Sequence, residues 1–173
     1  MKHLRTFFSV SLILTLTVST LMGCQKQPQT VTCPFTDMTW ENSVDDMTAS
    51  EGDDFTTYDS VYDGTTYVFP KNYLDLEGSI KYMYDGADEL MCVAWTYSSE
   101  TEEDLKNIYS TIHQQIEDTY GESGYNTKQQ TNYGDVWHLE NGDIVLSLVT
   151  TDTQKALQYS YLNPKVSNKE TEN

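Results

Sequence analysis

Two histidines carry most of the acid–base or metal-binding potential of this chain. His113 lies in a helical pattern with Glu117 four residues later, so both side chains fall on one helix face. Such a pair could bind a metal ion or relay a proton, but a surface contact between neighbouring turns is the commoner arrangement. His138 lies between Trp137 and Leu139 in a strand pattern and points to the opposite face from them. We therefore expect a half-exposed histidine on a sheet, and we assign no catalytic residue.

Other catalytic or ligand-binding patterns are incomplete. The segment 121–124 (Gly-Glu-Ser-Gly) follows a helix instead of leading into one from a strand, so it does not fit a nucleophile turn. The His-Glu-x-x-His, Cys-x-x-Cys and phosphate-binding Gly-Lys-Ser/Thr patterns do not occur. Five acidic residues crowd the end of the first predicted helix without the spacing of a calcium loop: Asp45, Asp46, Glu51, Asp53 and Asp54. We expect a solvated helix end there, with no metal site and no cofactor.

Aromatic side chains recur at the period of a strand. The pairs are Tyr58 and Tyr62, Tyr82 and Tyr84, Trp95 and Tyr97, and Tyr159 and Tyr161. Tyrosine combines apolar area with a hydroxyl group, which suits both cores and recognition surfaces. Because 13 tyrosines cannot all be buried in a small domain, we expect one partly exposed aromatic face on the sheet.

Two helices should position these residues. Ser43 and Asp46 predict a capping box at the start of a short helix over Val44–Glu51. Thr101 and Asp104 predict a second capping box, which opens a long helix. A glycine ends each helix: Gly52 and Gly121. One apolar stripe follows the long helix: Leu105, Ile108, Tyr109, Ile112, Ile116 and Tyr120.

Seven strand patterns separated by turn residues predict an antiparallel sheet. They cover residues 56–62, 65–69, 79–84, 89–97, 136–140, 143–150 and 156–162. Pro70 should end the second strand, residues 122–133 should form a loop, and Asn141-Gly142 should form a hairpin turn. The predicted fold class is α+β, an antiparallel meander sheet with one short and one long helix packed on one face. The recurring order of helix and strands also suggests a degenerate α–β repeat duplication.

The first 23 residues are organised like a secretion signal. Lys2 and Arg5 give a basic start, and the apolar run from Phe7 to Met22 is shorter than the roughly 20 residues of a membrane-spanning helix. The segment 21–24 (Leu-Met-Gly-Cys) resembles the bacterial lipobox, Leu-x-Gly-Cys. This resemblance implies a membrane lipoprotein in which residues 1–23 are removed and Cys24 carries acyl chains of the palmitate type. Two such chains anchor a protein stably to a membrane.

The chain beyond the signal divides into three parts. Residues 24–33 should be the lipidated cysteine and a polar tether, residues 34–163 a single α+β domain, and residues 164–173 a disordered tail. The Trp40-x-x-Ser43 start, the acidic helix and Glu51-Gly52 resemble small exported lipoproteins and β-lactamase-inhibitory-protein-like domains. These pack helices on one face of an antiparallel sheet. Glu41 departs from that pattern, in which a Gly is common, so the resemblance assigns no functional residue.

Lipidation of Cys24 would leave Cys33 and Cys92 as the remaining cysteines. Export permits a disulfide between them, which would stabilise the fold by about 4 kcal/mol if the geometry fits. However, Cys92 lies in the apolar strand pattern 90–95, where a buried free thiol is equally ordinary. The sequence leaves both states open.

The charge balance excludes some partners. With 27 acidic and 10 basic residues the net charge is −17, so nucleic acids and anionic bilayers would repel the domain. The charge either keeps an exposed protein soluble or serves a cationic partner or a loosely bound divalent cation. We expect a lipoprotein on the extracytoplasmic face of the cell membrane, a non-enzymatic binding or accessory module whose ligand is a protein or an envelope component. The alternatives are an envelope hydrolase or metal-dependent enzyme, and a solute- or glycan-capturing module.

Overall fold

The computed structural model describes residues 33–128 and 132–167. Its helices are α1 (Val44–Glu51), α2 (Glu102–Tyr120) and α3 (Pro164–Ser167). Its strands are β1 (Thr56–Asp59), β2 (Asp63–Tyr73), β3 (Leu76–Asp85), β4 (Leu90–Ser98), β5 (Tyr125–Lys128), β6 (Asn132–Leu139), β7 (Gly142–Thr150) and β8 (Lys155–Leu162). The predicted signal, Cys24 and most of the tether lie outside the described residues, as do residues 168–173.

The described strands form one antiparallel sheet in the order β1-β2-β3-β4-β8-β7-β6-β5. Strands β1 to β4 make one meander and β5 to β8 make another, and the two meanders join where β4 pairs with β8. The predicted antiparallel α+β class is confirmed. The strand order departs from a simple meander at the centre, where β4 pairs with β8 from the far end of the chain.

Local signals explain the helix ends. Helix α1 has the predicted bounds, and the capping box between Ser43 and Asp46 is formed in both directions. The second predicted capping box is wrong, because the Thr101 side chain makes no capping hydrogen bond. Helix α2 nevertheless begins at Glu102, since three acidic residues in its first turn interact favourably with the helix dipole. Gly52 and Gly121 end α1 and α2 with positive φ angles, as predicted.

Two predictions about strands are wrong. Pro70 does not end β2, which continues to Tyr73. Pairing with β1 stops at Val68, so Pro70 has a strand on one side only and its missing N–H is tolerated. The segment expected to form a loop over 122–133 contains β5, whose four residues pair with β6 at the sheet edge.

Two hairpin turns are also shifted from their predicted positions. Gly142 is the first residue of β7, so the turn falls on Glu140 and Asn141. A Cβ at position 142 would lie 2.1 Å from the Leu162 carbonyl oxygen, and φ there is 126°. Glycine is therefore required by close strand packing. Likewise, β2 begins at Asp63, two residues earlier than the predicted start at residue 65.

The core lies on one face of the sheet, which we call the core face. Strand register aligns five buried side chains across it from β3 to β6: Tyr82, Val93, Tyr161, Ile144 and Trp137. Met47 of α1 and Leu105 and Ile112 of α2 belong to the same apolar cluster. The opposite side, which we call the outer face, carries Cys92, Ala94 and Ser160 at its centre.

The segment predicted to be a disordered tail begins with ordered structure. Its first four residues form α3, which packs near β7. The preceding Asn163 is buried, and its side-chain amide donates to the Leu90 carbonyl at 2.8 Å. Its backbone N–H donates to the Met91 carbonyl at 2.9 Å. These bonds attach the end of β8 to β4 and so hold α3 against the sheet.

Candidate functional site

A buried carboxylate, Asp135, is the centre of a polar cluster between three elements of the described domain. Asp135 lies on β6 facing α2 and has no exposed surface. It accepts hydrogen bonds from the Tyr109 hydroxyl, the Asn126 amide and, at 3.0 Å, the Ser123 hydroxyl. Burial raises the pKa of the Tyr109 hydroxyl well above its ordinary value, and the neighbouring carboxylate raises it further. The cluster therefore ties α2, the loop after it and edge strand β5 to the sheet.

His113 lies beside this cluster and not on the open surface. Its Nδ1 is 3.6 Å from a Glu117 oxygen, so the predicted contact between neighbouring helix turns is present. Its buried Nε2 is 3.4 Å from Asp135 Oδ2, too poorly aligned for a hydrogen bond, and has no other hydrogen-bond partner in the described residues. An open cavity of about 370 Å³ follows this side of α2, lined by His113, Tyr109 and two lysines, Lys106 and Lys128.

The geometry of this cluster does not assemble a nucleophile with its base. The Ser123 hydroxyl donates to Asp135, so it makes no bond to an imidazole that could remove its proton. The imidazole of His113 stacks near Tyr109 and contacts the edge of Trp137, with ring centroids 6.1 and 5.4 Å apart. These groups join the helix to the sheet, and the arrangement is suited to structural stabilisation.

A second polar pair lies on the outer face. His138 Nδ1 is 3.1 Å from Asp143 Oδ1, across the β6–β7 hairpin. The His138 side chain is 65% exposed, as the sequence predicted for a sheet histidine, whereas the Asp143 side chain is 10% exposed. A buried carboxylate beside an exposed imidazole can accept a further donor from solvent or from a ligand.

This pair forms one wall of a hollow of about 390 Å³, which we call the outer-face hollow. Its floor is apolar and is built from β6, β7, β8 and α3: Val136, Val145, Leu162 and Val166. Tyr125 of edge strand β5, 60% exposed, stands at its margin. An apolar concavity with a few polar groups is the usual form of a small-molecule site.

The five acidic residues flagged in the sequence do not converge. Asp46 serves the α1 cap, and hydrogen bonds from Ser43 hold the pKa of its carboxyl below the ordinary value. Glu51 turns inward, where it bonds Lys71 at 3.0 Å and accepts from the Tyr82 hydroxyl at 2.6 Å. In the described part of the chain, no three His, Cys, Asp or Glu side chains come together as a metal site.

The two remaining cysteines are free thiols in the structure. Cys33 lines a cavity of about 200 Å³ with Val93 and Tyr161 on the core side. Cys92 precedes Val93 on β4 and therefore points to the outer face, so the strand separates the two thiols. Burial raises the pKa of the Cys92 thiol to about 12, which keeps it protonated. The possible disulfide is not formed, and the free-thiol alternative for Cys92 describes the structure.

The expected exposed aromatic face is wrong for the described residues. The paired aromatics of β3, β4 and β8 are on the core face, where five are buried: Tyr82, Tyr84, Trp95, Tyr159 and Tyr161. Tyr159 and Tyr161 pack edge to face against Phe35, and their hydroxyls lie 2.8 Å apart. Of the flagged aromatics, Tyr58 on edge strand β1 is the one that is largely exposed.

Sequence reasoning missed Asp135 and Asp143, the two buried carboxylates that organise these sites. One signal was present, because Asp135 alternates with Tyr133 and Trp137 on β6 and so occupies an inward position. A charged residue at such a position requires partners from other elements.

Comparison with known proteins finds no matching family model, curated protein or solved structure. Among the described helices, none combines the length and apolar character needed to cross a membrane. The class established by the fold is therefore an α+β protein built on one eight-stranded antiparallel sheet.

Proposed function

We propose that this chain is a membrane-anchored extracytoplasmic lipoprotein whose domain is a non-enzymatic binding or accessory module of the cell envelope. Support for the anchor comes from the basic start, the short apolar run and the 21–24 segment. The first described residue, Cys33, follows Cys24 by nine positions. A fully extended tether of that length spans about 30 Å, enough to hold the domain clear of a membrane surface.

The absence of an assembled catalytic group favours binding over catalysis in the described domain. His113 and Asp135 lie between α2 and the sheet, and Ser123 donates to Asp135. The Ser123 proton is engaged by Asp135, and His113 makes no hydrogen bond to a hydroxyl or thiol among the described residues, so no base is directed at a nucleophile there. The two-residue grouping of His138 and Asp143 is likewise smaller than a metal centre requires.

The observation that carries the binding role is the outer-face hollow. Its size lies within the roughly 300–1,000 Å³ of small-ligand pockets. It has an apolar floor and one polar wall, which is the combination that fixes the orientation of a bound group. This observation favours the alternative of a solute-capturing module over contact with a partner through an aromatic surface.

We also propose two features of the fold, the packing of both helices on the core face and an internal duplication. Both α1 and α2 are inferred to cover the core face, since the Tyr82 hydroxyl meets Glu51 of α1 and Asp135 meets Tyr109 of α2. We also infer a degenerate duplication, because each half consists of a helix followed by a four-stranded meander. In this interpretation β4 and β8 are equivalent strands that pair at the centre.

Metabolic labelling with palmitate tests the anchor. The wild-type chain should incorporate label and fractionate with membranes, and Cys24→Ser should do neither. Cys33→Ser is the matched control, because it removes a nearby, half-buried thiol of the described domain and should leave labelling unchanged. Normal membrane fractionation of a processed Cys24→Ser protein would contradict the proposal.

Hydrolysis assays test the non-enzymatic part. Purified protein should show no ester or amide hydrolysis that depends on Ser123 or His138, with or without added divalent metal. The matched control is Ser110→Ala, on the exposed side of α2. An activity that Ser123→Ala removes and Ser110→Ala retains would overturn this assignment.

A further inference from the structure

We propose that the outer-face hollow binds a small amphipathic cation, a molecule with an apolar or aromatic body and a protonated amine. This inference deepens the proposed binding function and rests on it. The amine would bond to Asp143, and the body would lie on the floor formed by Val136 and Val145.

The charged residues that line the hollow favour a ligand of positive charge. Its lining contains one carboxylate, one imidazole and no lysine or arginine among the described residues. The Asp143 carboxylate supplies the negative charge of this lining, and its Oδ1 lies 3.1 Å from His138 Nδ1. An anion placed there would meet this charge without a compensating cation.

The burial of Asp143 increases the effect of that charge. It is 7% exposed, so an amine that reaches it from the hollow exchanges water for a charge-assisted hydrogen bond away from bulk solvent. The net charge of −17 adds an attractive field for cations over the whole surface.

The floor determines the rest of the ligand. Four aliphatic side chains from three strands and α3 offer a nonpolar surface without hydrogen-bonding groups. Tyr125 at the margin adds an exposed ring, against which an aromatic body or an alkylammonium group can pack. A strongly hydrated ligand such as a bare metal ion would gain nothing from this surface and would find too few oxygen ligands.

The test uses the full chain in nanodiscs of neutral lipid, with protein-free nanodiscs as the blank for partitioning. Phenethylamine is the probe, and 3-phenylpropanoate is the matched anion with the same ring. Dissociation constants are measured by saturation-transfer NMR of the ring protons. Phenethylamine should bind about tenfold or more tightly than 3-phenylpropanoate, as expected for one charge-assisted hydrogen bond.

Three variants distinguish the contributions of the Asp143 charge, the shape of the hollow and general electrostatic attraction to probe binding. Asp143→Asn should weaken phenethylamine binding about tenfold or more. Asp152→Asn removes the same charge from the exposed β7–β8 turn and should leave binding within about twofold, because that site is screened by solvent. Val145→Trp fills the hollow and should abolish binding of both probes. Circular dichroism must show that each variant folds, and if Asp143→Asn does not fold, the comparison of phenethylamine with 3-phenylpropanoate on the wild-type chain still decides the charge preference.

The outcomes distinguish this inference from the proposed function. Equal binding of both probes, blocked by Val145→Trp, would overturn the cation preference and leave a binding hollow in place. Probe binding that Val145→Trp does not change would overturn the hollow as a site. Equal weakening by Asp143→Asn and Asp152→Asn would show general electrostatic attraction and would also refute the inference.

Discussion

Tyr109→Phe tests whether the Asp135 cluster holds α2 to the sheet. The substitution deletes one hydroxyl group and keeps the ring, which contacts Tyr133 and His113. Asp135 has no exposed surface, so water cannot replace the lost donor without a change in packing. Removing one of three donors to a buried carboxylate should therefore destabilise the folded state.

The expected magnitude follows from the charge of the acceptor. A hydrogen bond to a charged group contributes about 1.5–3 kcal/mol to the free energy of unfolding. Tyr109→Phe should cost that amount. Tyr58→Phe removes a hydroxyl from an exposed ring on edge strand β1 and should change stability by less than about 0.5 kcal/mol.

A double-mutant cycle with Asp135→Asn isolates the interaction. The asparagine keeps the shape of the side chain but removes the charge, so Tyr109→Phe should cost much less in that background. The expected coupling is about 1–3 kcal/mol. The assay is urea unfolding followed by far-UV circular dichroism, with the slope of the transition checked for each variant. Additive losses, or a Tyr109→Phe loss equal to that of Tyr58→Phe, would refute the role of the cluster.

The remaining predictions concern the core, alkaline pH and the thiols. Ile112→Ala should lower the free energy of unfolding by about 2–5 kcal/mol, because Ile112 is fully buried in the apolar core cluster, whereas Gln115→Ala on the exposed side of α2 should cost under about 0.5 kcal/mol. Stability should fall as the pH rises above about 10: burial raises the pKa of Tyr82 and Tyr161, so the unfolded chain releases protons that the folded chain retains. Urea unfolding from pH 8 to 11 measures this, and a flat profile would contradict it. Alkylation in urea without reductant should modify both Cys33 and Cys92, and mass spectrometry would reveal a bridge as a loss of two labels.

The sequence predicted features that depend on neighbouring residues. The bounds of α1 followed from Ser43, Asp46 and Gly52, which act within one turn of the helix they limit. The stripe of α2 was confirmed because Leu105, Tyr109, Ile112 and Ile116 are all buried. The capping rule failed at the start of α2, where Thr101 makes no side-chain cap. The acidic residues of the first turn stabilise that helix end instead, through the helix dipole.

Features set by distant parts of the chain were not predicted. Pro70 was expected to end a strand, but its effect depends on where β1 stops. Gly142 was expected in a turn, but the Leu162 carbonyl of β8 requires it. The polar composition of β5 suggested a loop, and pairing with β6 made it a strand. The sites depend on distant contacts in the same way, because Asp135 receives its donors from α2, from the loop after it and from β5.

The outer face shows why recognition should concentrate at one end of the sheet. Its centre carries small residues, Cys92, Ala94 and Ser160, each at most 2% exposed. The Gln158 amide donates to the Ser160 hydroxyl at 2.8 Å, so this polar group is already satisfied within the sheet. These three side chains offer a partner little accessible surface. Apolar area and a buried charge occur together where β6, β7, β8 and α3 meet, and substitutions there should affect binding far more than substitutions at the centre.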